Sequence, residues 1–495
     1  MKERDTNAAR PDGEPPVQWR RHSSHWGVFD AAHTGDRLKV RPFAGDPDPN
    51  RLIENLPDAI RHGVRVPEPM VRLGWLRDGP GPDTRRGSDD YVPMSWDEIL
   101  DRLARKLRRV VDHHGTAGVF GGSYGWSSAG RFHHAQSQLH RFLNVALGGY
   151  VRSVHSYSSG AAQVVLPHVV GGFDEVTLCN VSWEQITRHT DVVLAFGGMA
   201  LKNSRVAAGG VSRHIERQAM AQAAGRGCRF YTIGPQRDDL PTEAAATWLP
   251  VVPGTDVALM LGIAHTLVAA GLHDRDFVVD FCDGWPVFED YLLGRADGLA
   301  KNAAWAAALC GIDAAAITEL ALGLAGKRVL VTVAHSLQRA DHGEQPVWMG
   351  LVLAALLGQV GLEGGGYSYA LGSISKYGRR KNAVSIAGAA TRRQPRETLH
   401  PLRAHRRYAA FARRDVPIQR QDAALPAYPA RVLGRRQSLP PSPGPRPPGP
   451  GIPAARHLRR PRNRLDRDRQ ACRHRPALHH DTGARPISAP RRPTI

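Results

Sequence analysis

Cysteine is scarce. The 495 residues hold five, Cys179, Cys228, Cys282, Cys310 and Cys472, with no CxxC pair among them. A zinc ribbon or a cysteine-bound iron–sulfur cluster is therefore not expected. No run of eighteen apolar residues occurs, so no membrane-spanning helix is predicted. There is no GxGxxG fingerprint, and a nicotinamide dinucleotide site of the usual kind is not indicated. The opening stretch MKERDTNAARPDGEPPVQWRRHSSHWG is polar. Arg20-Arg21 has no apolar region behind it, so a twin-arginine signal is not expected and the reading is cytoplasmic. Lysine is absent from Ala389 to Ile495, where 25 Arg meet 6 acids, a balance of +19. The whole chain carries +20, which leaves +1 for the first 388 residues. The basic character belongs to the tail, and a nucleic-acid partner is not what the body of the chain suggests.

What is present begins with length, enough for about three domains and a large core. Residues 22–60 alternate apolar and turn residues, predicting short strands. A loop over 63–94 leads to a helix capped by Ser95, with Glu98 as capping-box partner, continuing through LDRLARKLRRVVDHHG. Apolar runs then recur with helical stretches between them. DVVLAFGG (191–198), CRFYTIGP (228–235) and RVLVTVAH (328–335) read as strands; SRHIERQAMAQAAG and DVALMLGIAHTLVAAG read as helices. This alternation predicts a parallel, doubly wound sheet with ligands beyond its carboxyl edge. Loops at that edge carry Gly197-Gly198-Met199 with Lys202 and Asn203, then Gly234-Pro235, then Gly254-Thr255-Asp256, then His335-Ser336 with Gln338-Arg339. Each is explained alone by an ordinary turn, and Thr255-Asp256 by a helix N-cap. His342, Gly343 and Glu344 are expected to open a long apolar helix that Gly364 to Gly366 end.

Two further clusters lie upstream. Gly122-Ser123-Tyr124-Gly125-Trp126 is a glycine-flanked aromatic pair; Tyr157-Ser158-Ser159-Gly160-Ala161-Ala162-Gln163 is a hydroxyl-rich turn entering small residues. A core aromatic and a capped helix would account for them separately. His133, His134 and His140 are not spaced as metal ligands and read as a helix face.

The order of motifs carries more than any one. SYGW, then SxGRxHxxQ, YSSGAAQ and LPHVVGG, followed by HGEQPVWMGLVLAALLGQVGLEGGGYSYALGSISKYGRR, resembles the dimethyl sulfoxide reductase family of molybdenum oxidoreductases. The likeness is to its biotin sulfoxide and trimethylamine N-oxide reductase branch, and it runs from about Ser23 to Ala387. The resemblance implies molybdenum held by bis(molybdopterin guanine dinucleotide), with a serine oxygen as protein ligand. Register on YSSGAAQ makes that serine Ser158, with Ser156 and Ser159 as neighbours. The family usually has Gly-Asp before this Tyr-Ser, where this chain has His155-Ser156. Trp126 and Tyr124 would donate hydrogen bonds to the transferred oxygen from two sides. Tyr124 is typical of sulfoxide reducers, which favours S-oxides over N-oxides. Lys202, Asn203, Gly234, Pro235, Gly254, Thr255, Asp256, His335, Ser336 and Arg339 would contact one guanine dinucleotide, Asp256 through a guanine edge or a ribose hydroxyl. No flavin or nicotinamide motif is visible, so an electron-donor protein is the expected partner.

The implied fold is α/β. A doubly wound dinucleotide-binding domain (166–339) is inserted in a larger α+β molybdopterin-binding body (61–165 with 340–388). An N-terminal polar and β-rich segment (1–60) precedes them, and an Arg/Pro-rich disordered tail (389–495) follows. The tail holds 18 of the 37 prolines and loses all periodicity. One GC-rich encoding of Val432 to Pro440, shifted by a base, reads Cys-Trp-Ala-Gly-Gly-Asn-Pro-Phe-His, like the family's WAGGNPF loop. Asp468 to Pro476 shifts similarly towards KHADIVLP. A frame change near Gly388 is the reading that joins these, leaving a fragment expected to be inactive alone. The alternatives are another oxidoreductase with the same cofactor, against which the missing cysteine ligand argues, and a basic nucleic-acid-binding protein, supported by the tail alone.

Overall fold

The computed structural model describes residues 17–375 and 398–400, apart from 82–83, 86, 124–133, 154–155, 179–180 and 208–209. At the N-terminus β1 (Arg20–Ser24), β2 (Gly27–Thr34) and β3 (Arg37–Pro42) form an antiparallel meander. Its small core is Phe29, Ala31 and Ile53. The expected 63–94 loop contains a two-stranded pair, β4 (Met70–Arg72) with β5 (Tyr91–Pro93). The helix Trp96–His114 starts where Ser95 Oγ accepts from the Glu98 amide at 3.3 Å. A short strand, β6 (Val151–Ser153), lies further on.

The parallel sheet follows the apolar runs. It consists of β7 (Val192–Phe196), β8 (Arg229–Ile233), β9 (Thr247–Leu249), β10 (Val329–Val333) and β11 (Gly366–Tyr369), in the order β11-β10-β7-β8-β9. All its pairings are parallel. Every residue of β7 and β10 is buried, as expected for strands with helices on both faces. Alternation along the strands sorts them. Val192, Leu194 and Phe196 join Val329, Val331 and Val333 in one cluster, under the helices Asp256–Ala269 and Glu344–Leu356. Val193, Ala195, Phe230 and Leu330 face Trp183, Ile186, Ala219 and Met220 on the other side. Two strands, β9 and β11, were not among the expected runs. Being short, with β9 only partly buried, they leave little apolar signal.

One expected boundary moves. The helix Glu344–Leu356 ends before Gly358, not at Gly364 to Gly366. Gly358 takes φ +64°, and the next side chain, Gln359, accepts from the Val329 amide at 3.1 Å. The chain thus turns back beside β10, and Gly366 opens β11 instead.

Buried and charged pairs join the meander's exit to the sheet layer. His214 Nδ1 lies 2.6 Å from Asp46 Oδ2, the two side chains 2% and 1% exposed. Asp48 pairs with Arg205 at 2.6 Å and Arg217 at 3.2 Å. Burial opposes the Asp48 charge, but the bonds from these two guanidiniums hold its carboxyl below the usual range. Residues 398–400 form β12, parallel to β6. The remaining tail after residue 400 lies outside the described residues, as does the expectation of disorder there. Among the described residues no helix is long and apolar enough to cross a membrane.

Candidate active site

The strand order has a consequence for ligands. From β7 the chain proceeds to β8 and β9 on one side, then returns to lay β10 and β11 on the other. The reversal lies between β7 and β10, and an open α/β sheet takes its ligand in the crevice beyond the carboxyl ends at such a point. The loops there come very close. Gly197 and Gly198 both have left-handed backbones, φ +77° and +72°. A Cβ on Gly197 would stand 2.5 Å from Leu337 Cδ1, and one on Gly198 2.3 Å from Asp239 Cβ. Only glycine permits this approach of the β7, β8 and β10 loops.

The expected loop residues gather at this edge. Lys202 and Asn203 are exposed on the single turn Leu201–Ser204. Beside them is a small cleft, about 220 Å³ including its open mouth, lined by Met199, Asn203, Glu216 and Leu371 among others. Gly234 is buried at the end of β8 and its carbonyl accepts from Trp248 Nε1 at 2.9 Å; Pro235 is exposed. Gly254 is exposed with φ +85°. Thr255 occupies the N-cap position of Asp256–Ala269, yet its hydroxyl donates to Val252 O at 2.6 Å and makes no side-chain cap bond. Asp256 is 5% exposed, and burial pushes its carboxyl up to about 6. At neutral pH it is a desolvated carboxylate, a strong acceptor. His335 is buried after β10 and shares a 3.1 Å hydrogen bond with Tyr369 Oη; Ser336 and Arg339 are exposed.

Ser158 lies in the turn Tyr157–Ser159, and its side chain is exposed. The N-cap position of the following helix, Gly160–Val170, belongs to Ser159, whose side chain does not cap it. The cap comes from 177 residues away: Gln338 Oε1 accepts from the Ala161 amide at 2.8 Å and the Ala162 amide at 3.4 Å. Gln338 Nε2 donates to Tyr157 O at 3.0 Å, and Arg339 Nε to Ser158 O at 3.4 Å. The Ser158 turn is therefore fastened to the switch-point loop. Sequence reasoning noted Gln338 only as a member of that loop. Its partners are remote in the chain, so no local signal could have shown this use.

Tyr124 and Trp126 lie outside the described residues. His133 also lies outside the described residues, whereas His134 and His140 have local structural uses. His134 caps the helix Ala135–Leu147, and His140 Nε2 is 2.9 Å from Gly121 O while its ring stacks on Tyr150. Among the described residues no group of three His, Cys, Asp or Glu side chains is placed to hold a metal. Burial raises the thiols of Cys228, Cys282 and Cys310, that of Cys228 to about 11, which disfavours thiolate ligands there.

By architecture, then, this is an α/β protein with its convergent loops at a sheet switch point. By family it is more specific. A family model for molybdopterin oxidoreductase matches residues 65–422, and one for the molybdopterin oxidoreductase N-terminal domain matches residues 22–61. Biotin sulfoxide reductase of Cereibacter sphaeroides is 42% identical over 342 residues, 69% of this chain and 46% of that protein. Trimethylamine-N-oxide reductase of Haemophilus influenzae is 42% identical over 359 residues, 71% of this chain and 43% of that protein. Dimethyl sulfoxide/trimethylamine N-oxide reductase of Rhodobacter capsulatus is 38% identical over 376 residues, 74% and 45% respectively. Among solved structures, acetylene hydratase from Pelobacter acetylenicus matches with TM-score 0.49 and 21% identity, over 68% of this chain and 42% of that one. The chain belongs to the molybdopterin oxidoreductase family. It spans about half the length of the curated relatives it matches.

Proposed function

We propose that this chain carries part of a molybdenum oxidoreductase that reduces S-oxides or N-oxides by oxygen-atom transfer. Its substrates are of the class of biotin sulfoxide, methionine sulfoxide, dimethyl sulfoxide and trimethylamine N-oxide. The observation that carries this reading is the bonding of the Ser158 turn to the loop after β10, which sets a free-standing hydroxyl beside the ligand edge of the sheet. The cofactor, bis(molybdopterin guanine dinucleotide), supplies the two-electron oxygen-atom chemistry when bound.

The donor set suits such a group. Ser158, relieved of capping, offers an oxygen to the metal. Asp256, ionised above about pH 6, accepts from a guanine edge or a ribose hydroxyl. Lys202 and Arg339 set positive charge opposite a pyrophosphate, and the backbone at Gly234, Pro235, Gly254 and Thr255 gives close approach. Asn203, His335 and Ser336 complete the polar lining. Tyr124 and Trp126 orient the substrate oxygen by donating hydrogen bonds. An electron-donor protein would supply the reducing electrons. Residues 166–339 act as the dinucleotide domain, 61–165 with 340–388 as the pterin-binding body, and 389–495 as a stretch read out of frame. The test uses the protein with its frame restored after Gly388. Ser158→Ala is expected to alter the molybdenum X-ray absorption spectrum and abolish sulfoxide reduction; an unchanged spectrum would sink the assignment.

A further inference from the structure

We infer that Gln338 is a positioning residue for Ser158, holding the Tyr157–Ser159 turn at both of its ends through one buried side-chain amide. The inference rests on the reading of Ser158 as the protein's oxygen donor to the metal. Local chemistry leaves this turn poorly secured. Ser159, at the cap position, has φ −153° and ψ 22° and makes no side-chain cap bond. Its hydroxyl instead accepts from Gln163 Nε2 at 2.9 Å. The helix therefore begins with amide donors that no neighbour satisfies.

Gln338 supplies what is missing. A carboxamide has an acceptor and a donor on one rigid plane. Its oxygen takes the Ala161 and Ala162 amides just after Ser158, and its nitrogen gives to the Tyr157 carbonyl just before it. Two amide donors on one side and a carbonyl on the other fix which way the carboxamide faces. Gln338 is 5% exposed. It stands in the turn Leu337–Arg339, five residues beyond the last residue of the fully buried β10. Ser158 thereby inherits the position of the sheet and not of a free loop, which is how a site gains sub-ångström placement. Leucine at 338 supplies neither function, and glutamate keeps the acceptor but loses the donor.

Amide hydrogen exchange on the full chain tests this without any cofactor. Gln338→Leu is expected to speed exchange at Ala161 and Ala162 at least tenfold while the β10 amides keep wild-type rates. Gln338→Glu is expected to return those two amides to within threefold of wild type. Wild-type exchange over 157–163 in Gln338→Leu overturns the proposal. So does an equal acceleration in β10, which would show general loosening. A second readout is the metal's absorption spectrum in loaded, frame-restored protein. There Gln338→Leu and Gln338→Glu should both weaken the oxygen shell that Ser158→Ala removes. If Ser158→Ala leaves that spectrum unchanged while Gln338→Leu frees the turn, the ligand reading fails and the clamp stands. If Ser158→Ala changes it and Gln338→Leu moves neither readout, the clamp fails and the ligand reading stands.

Discussion

The strand β7 and the helix Trp96–His114 are both strongly patterned, yet they are held in opposite ways. All five residues of β7 are buried, whereas none of the nineteen in the helix is. Leu100 and Leu103 on the helix are exposed. The strand persists through what covers it: helices on both faces and partners on both edges. The helix persists through its own chemistry. Ser95 caps it, Asp97 and Glu98 sit in its first turn, His113 and His114 in its last, and Glu98–Arg102 and Asp101–Arg105 pair along it. An apolar pattern in sequence thus locates a face without saying whether anything lies against it.

Substitutions can break this comparison. The largest effect belongs to Phe196→Ala at the end of β7, where a fully buried ring gives way to a cavity. Denaturant melts should show a loss of about 3–5 kcal/mol, and a loss under 1 kcal/mol would mean that the core there is loosely packed. Asp256→Asn comes next and depends on pH. Burial raises the folded carboxyl to about 6 from an unfolded value near 3.8. The wild type is therefore most favoured by this group below about pH 4 and loses stability as pH rises through about 6. Relative to wild type, the asparagine variant should gain on the order of 2–3 kcal/mol between those limits; a pH-independent difference removes the desolvation account. Ser182→Ala, which breaks the capping box of the helix Trp183–His189, should cost about 1 kcal/mol. Leu100→Ala should change stability by less than about 0.5 kcal/mol, and a larger loss would show that the helix face is covered after all.

Reading the sequence located the sheet and missed its stitching. DVVLAFGG, CRFYTIGP and RVLVTVAH mark β7, β8 and β10 because residues buried on both faces leave a continuous apolar run. The helix Asp256–Ala269 was equally plain. Ser95 was visible as a cap because its partner Glu98 is three residues away. Short strands such as β9, and the boundary at Gly358, depend on contacts with distant segments and left no periodic trace. The family motifs named Ser158 and the loop residues as candidates, since those motifs are contiguous. Gln338 could not be found that way, because what defines it is a hydrogen-bond geometry across 177 residues. The N-cap reading of the YSSGAAQ turn was half met: Ser159 holds the position, but another residue does the capping.

That separation also bears on how the chain is born. Synthesis runs at roughly 5–20 residues per second, so the Ser158 turn emerges roughly 10–35 s before the glutamine that fastens it. During that interval the start of the helix Gly160–Val170 has only solvent for its first amides. The turn gains its remote cap only when β10 has joined β7, which makes this helix start a late-formed part of the sheet's carboxyl edge.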